Sequence, residues 1–343
     1  MSLISLMGSL YATGAAWRRQ WYLRDPARRR RLRQPVVSIG NLSVGGSGKT
    51  PIVALIARLL IDQGERPSIL SRGYGRQREC DGVTIVSDGT EVRATVETAG
   101  DEPLMLARMV PRARVLVGAS RYVAGRLAEE QLRATVHLLD DGFQHFELER
   151  DVDLLVTSED DLSDSPLPGG RLRESLLAAA SADAALVYAG YGAEADRIGR
   201  ALGLPTVFRA DRALGVPRLV ATGDTVVVPT DERVFGVAGI GRPERFFDSL
   251  ESAGWRVVGK MAFRDHHPFT VRDISRVSAA VRSTGATIVM TTEKDAVRLT
   301  GRDFGGLSVA AVPLVTSLEP AAPFALWLRD RIEVARAGHP ARS

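Results

Sequence analysis

A glycine-rich loop between a short apolar run and a helix constrains this sequence more than any other feature. Residues 36–39 form a β-branched run that predicts a buried strand, and the loop 40–50 follows it. Pro51 then begins a helix that is predicted to cover 52–63 and to end at Gly64. This order of elements directs backbone N–H groups and the positive end of the helix dipole to one point, which favours bound phosphate.

The end of the loop carries the side chains that nucleotide phosphates and their metal ion require. Lys49 is one of only three lysines in the chain, so a lysine here is a specific signal for β- and γ-phosphates, and the Thr50 hydroxyl suits Mg²⁺. The usual pattern has glycine at position 43, where this sequence has Ser43; a glycine-rich turn without nucleotide is the alternative. The predicted ATP-binding residues are Ser43, Val44, Gly45, Gly46, Ser47, Gly48, Lys49 and Thr50.

A pair of acids after another apolar run predicts the metal site. Residues 136–139 have a strand pattern, and Asp140 and Asp141 follow directly. Two adjacent acids at the end of a buried strand are costly without a nearby cation, so bound Mg²⁺ explains them; a turn or a helix cap is the alternative. A second acidic pair, Asp101-Glu102, opens another predicted helix, either as a cap or as a base and a metal ligand.

Four further segments contain residues suited to phosphate, sugar or proton transfer. The segment 71–76 places a tyrosine between two arginines in a glycine-containing loop, and 168–174 resembles an anion-binding turn. The segments 141–145 and 263–269 hold three of the five histidines, too sparse for a zinc site. A histidine that orients a carboxylate base is the better interpretation. A solvated loop, a helix start and surface histidines are the respective alternatives.

The N-terminal segment predicts a helix that lies on a membrane surface. Residues 2–23 have apolar side chains along one side, with Trp17 and Trp21 beside an arginine run at 18–33 that carries a net charge of +7. An apolar side, interfacial tryptophans and adjacent cations favour binding to anionic lipid. The charges follow the apolar stretch, which argues against a signal peptide, and 17 uncharged residues are few for a spanning helix. Packing of this helix on the protein's own core is the alternative.

The rest of the composition excludes several classes of protein. Outside 18–33 the chain of 343 residues carries a net charge of −3, so no nucleic-acid-binding surface and no nucleic-acid partner are expected. Cys80 is the single cysteine, which excludes an internal disulfide and fits a reducing compartment. Apolar residues at 45% and charged residues at 25% are typical of a soluble globular chain.

Strand patterns that alternate with helical patterns predict an α/β fold of the P-loop NTPase type, a mainly parallel sheet with helices on both faces. Core strands are predicted near 36–39, 68–70, 114–117, 136–139, 152–156, 184–188 and 206–209. The stretch 211–231 has two prolines and two glycines, which is typical of a linker. The predicted organisation is a basic amphipathic helix at 1–33, a P-loop core at 34–210, the linker at 211–231 and a smaller C-terminal α/β domain at 232–343.

Together these segments resemble one family, the tetraacyldisaccharide 4′-kinases of lipid A biosynthesis. The most specific motifs are Gly-Asp-Glu-Pro at 100–103, Asp-Asp-Gly-Phe-Gln-His at 140–145 and Thr-Thr-Glu-Lys-Asp-Ala at 291–296. The resemblance implies Mg²⁺-dependent transfer of the ATP γ-phosphate to the 4′-hydroxyl of a lipid A disaccharide 1-phosphate. It also implies a peripheral position on the cytoplasmic face of a bacterial inner membrane.

The resemblance also implies a role for each site residue. Asp101 is then the base and His266 its partner, with Lys49 as a catalytic cation. The metal ligands are then Thr50, Glu102, Asp140 and Asp141, and the phosphate or headgroup contacts are Arg72, Tyr74, Gln144, His145, Arg173 and His267. Since Asp101 and His266 fall in different predicted domains, we expect the active site at their junction, closing when ligands bind.

Two other interpretations remain open from the residues alone. A membrane-associated ATPase of the partitioning type would also combine such a loop with a surface helix, but the second lysine expected at 43 or 44 is absent. A non-catalytic lipid-binding module is disfavoured because Lys49 and Thr50 are both intact. Phosphate transfer that depends on an acceptor distinguishes the kinase from both, and the sequence does not indicate an oligomeric state.

Overall fold

The computed structural model describes residues 3–45, 48–74, 76 and 82–338 of the chain, without the side chains of Leu3 and Ser5. In this part the α-helices are α1 (Leu3–Leu23), α2 (Lys49–Asp62), α3 (Val96–Ala99), α4 (Asp101–Met109), α5 (Arg121–Leu132), α6 (Glu159–Leu162), α7 (Gly192–Ala201), α8 (Pro243–Ser252), α9 (Val271–Thr284), α10 (Glu293–Leu299) and α11 (Ala321–Gly338). The strands are β1 (Val36–Gly40), β2 (Pro67–Ser71), β3 (Val83–Asp88), β4 (Arg114–Gly118), β5 (Val136–Asp140), β6 (Val152–Ser158), β7 (Ala184–Tyr188), β8 (Val207–Leu214), β9 (Arg218–Leu219), β10 (Arg233–Ala238), β11 (Arg256–Ala262), β12 (Ile288–Thr292), β13 (Ser308–Val312) and β14 (Leu314–Glu319).

Two sheets organise the molecule. The larger has nine strands in the order β14-β8-β7-β6-β1-β5-β2-β4-β3, parallel except for the two edge strands β3 and β14. The smaller has five strands in the order β11-β10-β12-β13-β9, parallel except for the short β9. The predicted α/β class with a mainly parallel sheet is confirmed, and each predicted core strand is present with its ends shifted by a few residues at most, except β8, which runs on to Leu214.

The centre of the large sheet brings the loop and the acidic pair together. β1 lies between β5 and β6 and is parallel to both, with Ile39 opposite Asp140. Because parallel strands end at the same edge, the loop after β1 and the acids after β5 meet there. Helix α2 covers the sheet with Ile52, Ile56 and Leu60, all fully buried. Burial of each such side chain stabilises the fold by about 1.5–3 kcal/mol.

The predicted domain limits need correction at two places. β14 pairs with β8 in the large sheet, and α11 packs on the same core, so 314–338 belongs with the core and not with the predicted unit at 232–343. The physical reason is that Leu318, Phe324 and Leu328 complete the apolar cover over one edge of that sheet. The stretch predicted as a linker also contains strand residues, since β8 extends to Leu214 and β9 pairs with β13.

Candidate active site

The phosphate loop is held by an asparagine that the sequence prediction did not include. Asn41 is fully buried after β1, and its amide Nδ2 donates to the carbonyl and hydroxyl oxygens of Ser43 at 2.7 and 3.0 Å. Its Oδ1 accepts from Lys49 Nζ and from Arg173 Nη2, both at 2.7 Å. The signal that could have identified Asn41 is its position in the loop, two residues before Ser43. Asn41 therefore fixes both the loop and two cations.

Ser43 replaces the usual glycine for a structural reason. Its side chain accepts from Asn41, and its backbone forms an isolated bridge with Leu172. Val44 N–H donates to the carbonyl of Arg171 at 2.8 Å, so the segment 171–173 forms one wall of the loop. Among the predicted ATP-binding residues, Gly46 and Ser47 lie outside the described residues, and Gly45 is exposed.

The start of α2 has the form that a phosphate site needs. Gly48 precedes the helix with φ of +78°, and a Cβ there would lie 2.8 Å from the hydroxyl of Tyr188, so glycine is required. Lys49 and Thr50 form the first turn of α2, where backbone N–H groups lack helical acceptors.

Lys49 and Arg173 converge on Asp141. Lys49 Nζ lies 3.3 Å from Asp141 Oδ1, and Arg173 binds both carboxylate oxygens at 2.8 and 2.9 Å. Burial alone would raise the pKa of Asp141, but these two cations outweigh it and lower the pKa to about 2. Asp141 also has φ of +58°, an uncommon backbone conformation that turns the chain sharply at the sheet edge. Arg173, predicted as a substrate contact, thus lies beside the phosphate loop.

Asp140 is a buried carboxylate in an environment that favours a nearby cation. It is 5% exposed, and its carboxylate accepts a long hydrogen bond of 3.4 Å from Ser71 Oγ. Burial and the negative charges of Glu102 and Asp141 raise the pKa of Asp140 to about 7, although Lys49 and Arg121 oppose them.

The acids fit Mg²⁺ as a phosphate-bound ion. Over the described residues, no group of three His, Cys, Asp or Glu side chains converges closely enough to hold a metal alone. Mg²⁺ at nucleotide sites takes one or two carboxylates together with phosphate oxygens and water, so such a cage is not required. The raised pKa of Asp140 and the proximity of Glu102 fit that donor set.

Asp101 and His266 meet across the two sheets, as predicted. Asp101 opens α4 and is 3% exposed; His266 Nδ1 lies 3.1 Å from Oδ1 and 3.0 Å from Oδ2. Burial would raise the pKa of Asp101, but the hydrogen bond with His266 and the charges of Lys294, His266 and Arg298 lower it. The same hydrogen bond raises the pKa of His266. Oδ2 of Asp101 accepts no directed hydrogen bond in the described part of the chain, although a nitrogen of Arg298 lies 3.5 Å from it.

Lys294 and Arg298 complete the cluster and were not among the predicted site residues. Lys294 Nζ lies 3.2 Å from both Glu102 and Asp265 and 3.3 Å from His266 Nε2. Arg298, 6% exposed, lies 3.5 Å from Asp101. His266 directs Nδ1 toward Asp101 and Nε2 toward Lys294. The four-residue spacing of two cations on the short helix α10 is the signal that could have suggested this cluster.

The glycine-containing loop after β2 lies against Gly100, which precedes Asp101, and against His266. Gly100 has φ of +85°, and a Cβ there would approach the carbonyl oxygen of Tyr74 to 2.8 Å, so this glycine permits the close contact. The Tyr74 ring packs edge-on against His266 with centroids 5.6 Å apart, although the side chain is 73% exposed. Arg72 is exposed as well, and both are therefore accessible to a ligand.

Gln144 and His145, which follow the acidic pair, have different surroundings. Gln144 Nε2 donates to the carbonyl of Asn41 at 3.0 Å, which makes it a support of the phosphate loop. His145 lies close to several arginines; burial and the charges of Arg121, Arg150 and Arg72 lower its pKa to about 4, so it is neutral at pH 7. A neutral imidazole among arginines is compatible with a bound anion.

His267 packs at the start of α9. Its Nε2 lies 2.9 Å from Asp273, the third residue of α9, and its ring stacks on Phe263 at 4.7 Å. Asp273 also accepts from the backbone N–H of Thr270, in a capping box. His267 thus stabilises the start of α9, and its contact with the substrate stays a prediction.

Helix α1 is attached to the protein but leaves apolar side chains uncovered. Ile4, Leu6, Leu10, Trp17 and Trp21 are 40–67% exposed. Arg19 on the other side is buried against Glu174. The alternative, that the apolar side packs on the protein's own core, is therefore wrong for these residues. No helix in the described ranges is long and apolar enough to cross a membrane.

Comparison with known proteins gives one consistent result. The family model described as "Tetraacyldisaccharide-1-P 4'-kinase" matches residues 1–333. The chain is 40% identical over 304 residues to the tetraacyldisaccharide 4'-kinase of Geobacter metallireducens (87% of this chain, 88% of that one) and 39% identical over 308 residues to that of Nitrobacter hamburgensis (88% and 87%). The crystal structure of "apo" form LpxK from Aquifex aeolicus in complex with ATP superimposes with a TM-score of 0.77 at 31% identity, covering 95% of this chain and 97% of that one.

These matches extend over nearly the whole chain and include both sheets. The chain belongs to the tetraacyldisaccharide-1-P 4′-kinase family.

Proposed function

We propose that this chain transfers the γ-phosphate of ATP to the 4′-hydroxyl of a tetraacyldisaccharide 1-phosphate, forming lipid IVA in lipid A biosynthesis. The observation that carries the proposal is the buried carboxylate of Asp101, paired with His266 from the second sheet beside the acids of the phosphate site. An enzyme that only hydrolyses ATP needs no base for an alcohol. The family and the ATP-containing relative support the donor and the acceptor.

The donor phosphates bind at the loop 43–50. The first turn of α2 offers backbone N–H groups, and Lys49 and Arg173 supply positive charge. Asn41 and Asp141 bind both cations in the structure. When ATP binds, its phosphate oxygens take over part of these contacts. The two cations then stabilise the charge that spreads over the transferring phosphoryl group.

Mg²⁺ would be held by Asp140 and Asp141 at the end of β5 and by Thr50, with Glu102 close to the same site. When bound it would neutralise phosphate charge and orient the phosphates. The protein's own contribution is to keep two acids and a hydroxyl at one sheet edge. The buried position of Asp140 excludes water from that side.

Asp101 accepts the proton of the acceptor hydroxyl. As the hydroxyl oxygen bonds to the γ-phosphorus, the bond to the β-phosphate oxygen breaks and ADP leaves, while the hydroxyl proton moves to Asp101 Oδ2. His266 holds the carboxylate in position through Oδ1 and favours its ionised form. A positioned base of this kind contributes roughly 10²- to 10⁴-fold to the rate.

The acceptor headgroup lies over the surface formed by Arg72, Tyr74 and His145. Tyr74 is exposed next to His266, and Arg72 lies close enough to His145 to lower its pKa. Arginines beside an exposed aromatic ring suit a phosphorylated sugar, since guanidinium groups bind phosphate and a ring packs on a sugar face.

Helix α1 binds the anionic surface of the cytoplasmic face of the inner membrane, from which the lipid acceptor is taken. The support is its exposed apolar side, with Leu10 at 66% and Trp17 at 67% exposure, and the arginines that follow. The protein is then peripheral. A water-soluble acceptor would not require a helix that binds the membrane surface.

The test incubates the protein with γ-labelled ATP, Mg²⁺ and tetraacyldisaccharide 1-phosphate in mixed micelles. The proposal predicts label in the lipid product only when the acceptor is present, with Asp101→Asn reducing the transfer roughly 10²-fold or more. The same variant should bind ATP as the native protein does. Release of label as inorganic phosphate, with none in the lipid, would contradict the proposed function.

A further inference from the structure

One arginine of α1 is buried although its neighbours are exposed. Arg19 is 6% exposed, whereas Arg18 and Gln20 are exposed. Its Nε donates to Glu174 Oε2 at 2.7 Å and its Nη2 to Oε1 at 3.0 Å, a two-point pair with a carboxylate that is itself 3% exposed. Nη1 donates to Ser181 Oγ at 2.6 Å. Such a pair fixes orientation because planar guanidinium and carboxylate groups match at both ends.

The flat face of the same guanidinium group covers two aromatic rings. Its carbon lies 4.7 Å from the centroid of Phe143 and 4.8 Å from that of Phe146. Phe143 is fully buried and touches the end of β1, since a Cβ at Gly40 would lie 2.5 Å from the Phe143 Cβ. Arg19 therefore packs against the segment that follows the acidic pair and connects it with the rest of the core.

Both partners of Arg19 are neighbours of the groups that hold the phosphate loop. Glu174 follows Arg173, whose N–H donates to the carbonyl of Leu42 at 2.7 Å and whose guanidinium group binds Asn41 and Asp141. Phe143 precedes Gln144, whose amide donates to the carbonyl of Asn41. The two segments thus meet at Asn41, and Arg19 is the residue of α1 that contacts both.

We propose that Arg19 is a positioning residue that acts through Arg173. It connects the surface helix α1 with the phosphate loop and holds Arg173 where it reaches the transferring phosphate. The inference rests on the proposed phosphate transfer but concerns a different group. Nothing in the contacts of Arg19 requires it for the acceptor or for the base, because its polar contacts are with Glu174 and Ser181.

The consequence is a specific pattern of rates. A small displacement of a charge-stabilising group costs up to about 100-fold in the rate of the chemical step, so Arg19→Met should lower kcat roughly 10- to 100-fold. If the effect passes through Arg173, then Arg19→Met should change kcat less than about twofold in an Arg173→Ala background. A residue that only stabilises the fold would give the same loss in both backgrounds.

The experiment measures kcat for native protein, Arg19→Met, Arg173→Ala and the double variant, each corrected for its active fraction by the stoichiometry of ATP binding. Arg19→Lys keeps the charge but provides one contact in place of two, so it provides the same comparison if the methionine variant does not fold. Arg126→Ala is the matched control, because Arg126 forms an exposed pair with Glu130, with side chains 37% and 48% exposed, and should leave kcat unchanged.

Equal losses in the two backgrounds, or an Arg19 variant with native kcat, would overturn the inference. Titration of each variant with ATP in the absence of acceptor separates this outcome from failure of the proposed function. Non-additive losses of ATP affinity support the role of Arg19 even if no lipid is phosphorylated. Additive losses overturn it whether or not the native protein transfers phosphate.

Discussion

Replacement of His266 by alanine tests how Asp101 is kept ready to accept a proton. Asp101 is almost fully buried, and burial favours its neutral form. Four interactions oppose burial in the native protein, namely the hydrogen bond and charge of His266 and the charges of Lys294 and Arg298. The alanine variant removes both contributions of His266 and leaves the other two cations, at 4.0 and 3.5 Å, in place.

The size of the effect follows from the lost hydrogen bond. A hydrogen bond that involves a charged group contributes about 1.5–3 kcal/mol, and the ionised carboxylate loses that stabilisation. The pKa of Asp101 therefore rises in His266→Ala. Because only the ionised carboxylate accepts a proton, the acid limb of the pH–rate profile moves to higher pH. In the native protein the lowered pKa keeps Asp101 ionised, and this contribution is lost only as the pH falls through that lowered value.

The assay records kcat for lipid phosphorylation between pH 5 and 9 at saturating ATP. We expect the His266→Ala profile to lose most activity at the acid end and to regain part of it at alkaline pH. His267→Ala is the matched control, because His267 pairs with Asp273 and not with Asp101, so it should keep the native acid limb. An acid limb at the same pH in native protein and His266→Ala would refute the reasoning.

Three further predictions concern the helix, the cluster and the phosphate loop. Leu10→Glu should weaken sedimentation with vesicles that contain anionic phospholipid, whereas Leu326→Glu, on α11 and 50% exposed, should not; equal binding by both contradicts the assignment of α1. Asp295→Ala leaves the buried Arg298 without its 3.0 Å partner and should lower the free energy of unfolding by about 3–5 kcal/mol, measured by urea denaturation. Asn41→Ala should lower kcat roughly tenfold or more in the labelled-ATP assay, since it releases two cations; an unchanged kcat would show that they hold their positions without it.

Sequence patterns predicted the fold well where an element is determined by residues close together in the chain. The strand before the phosphate loop and the helix after it follow from a β-branched run, from Pro51 near the helix start and from Gly64 past its end. The membership of β14 in the large sheet did not follow, because pairing with β8 joins residues about a hundred positions apart. No local sequence pattern indicates which sheet a strand joins, or at which edge.

The sequence predicted those site residues whose chemical role can be recognised from a local motif. Lys49, Asp101, Asp140 and His266 occupy motifs whose spacing indicates phosphate, base or metal, and the structure brings Asp101 and His266 together. Asn41 and the cations Lys294 and Arg298 were missed, because their roles depend on contacts between distant segments. For the same reason, the role of His267 at the start of α9 became visible only in three dimensions.

The position of the new phosphate tests the central claim most directly. The lipid product of a reaction with ATP is isolated and examined by a ³¹P–¹H correlation experiment, which connects each phosphorus with the proton on the carbon that bears it. The account predicts a second phosphorus coupled to H4′, present with native protein and greatly reduced with Asp101→Asn. A product phosphorylated elsewhere, or undiminished phosphorylation by Asp101→Asn, would contradict the assignment of the 4′-hydroxyl as acceptor and of Asp101 as its base.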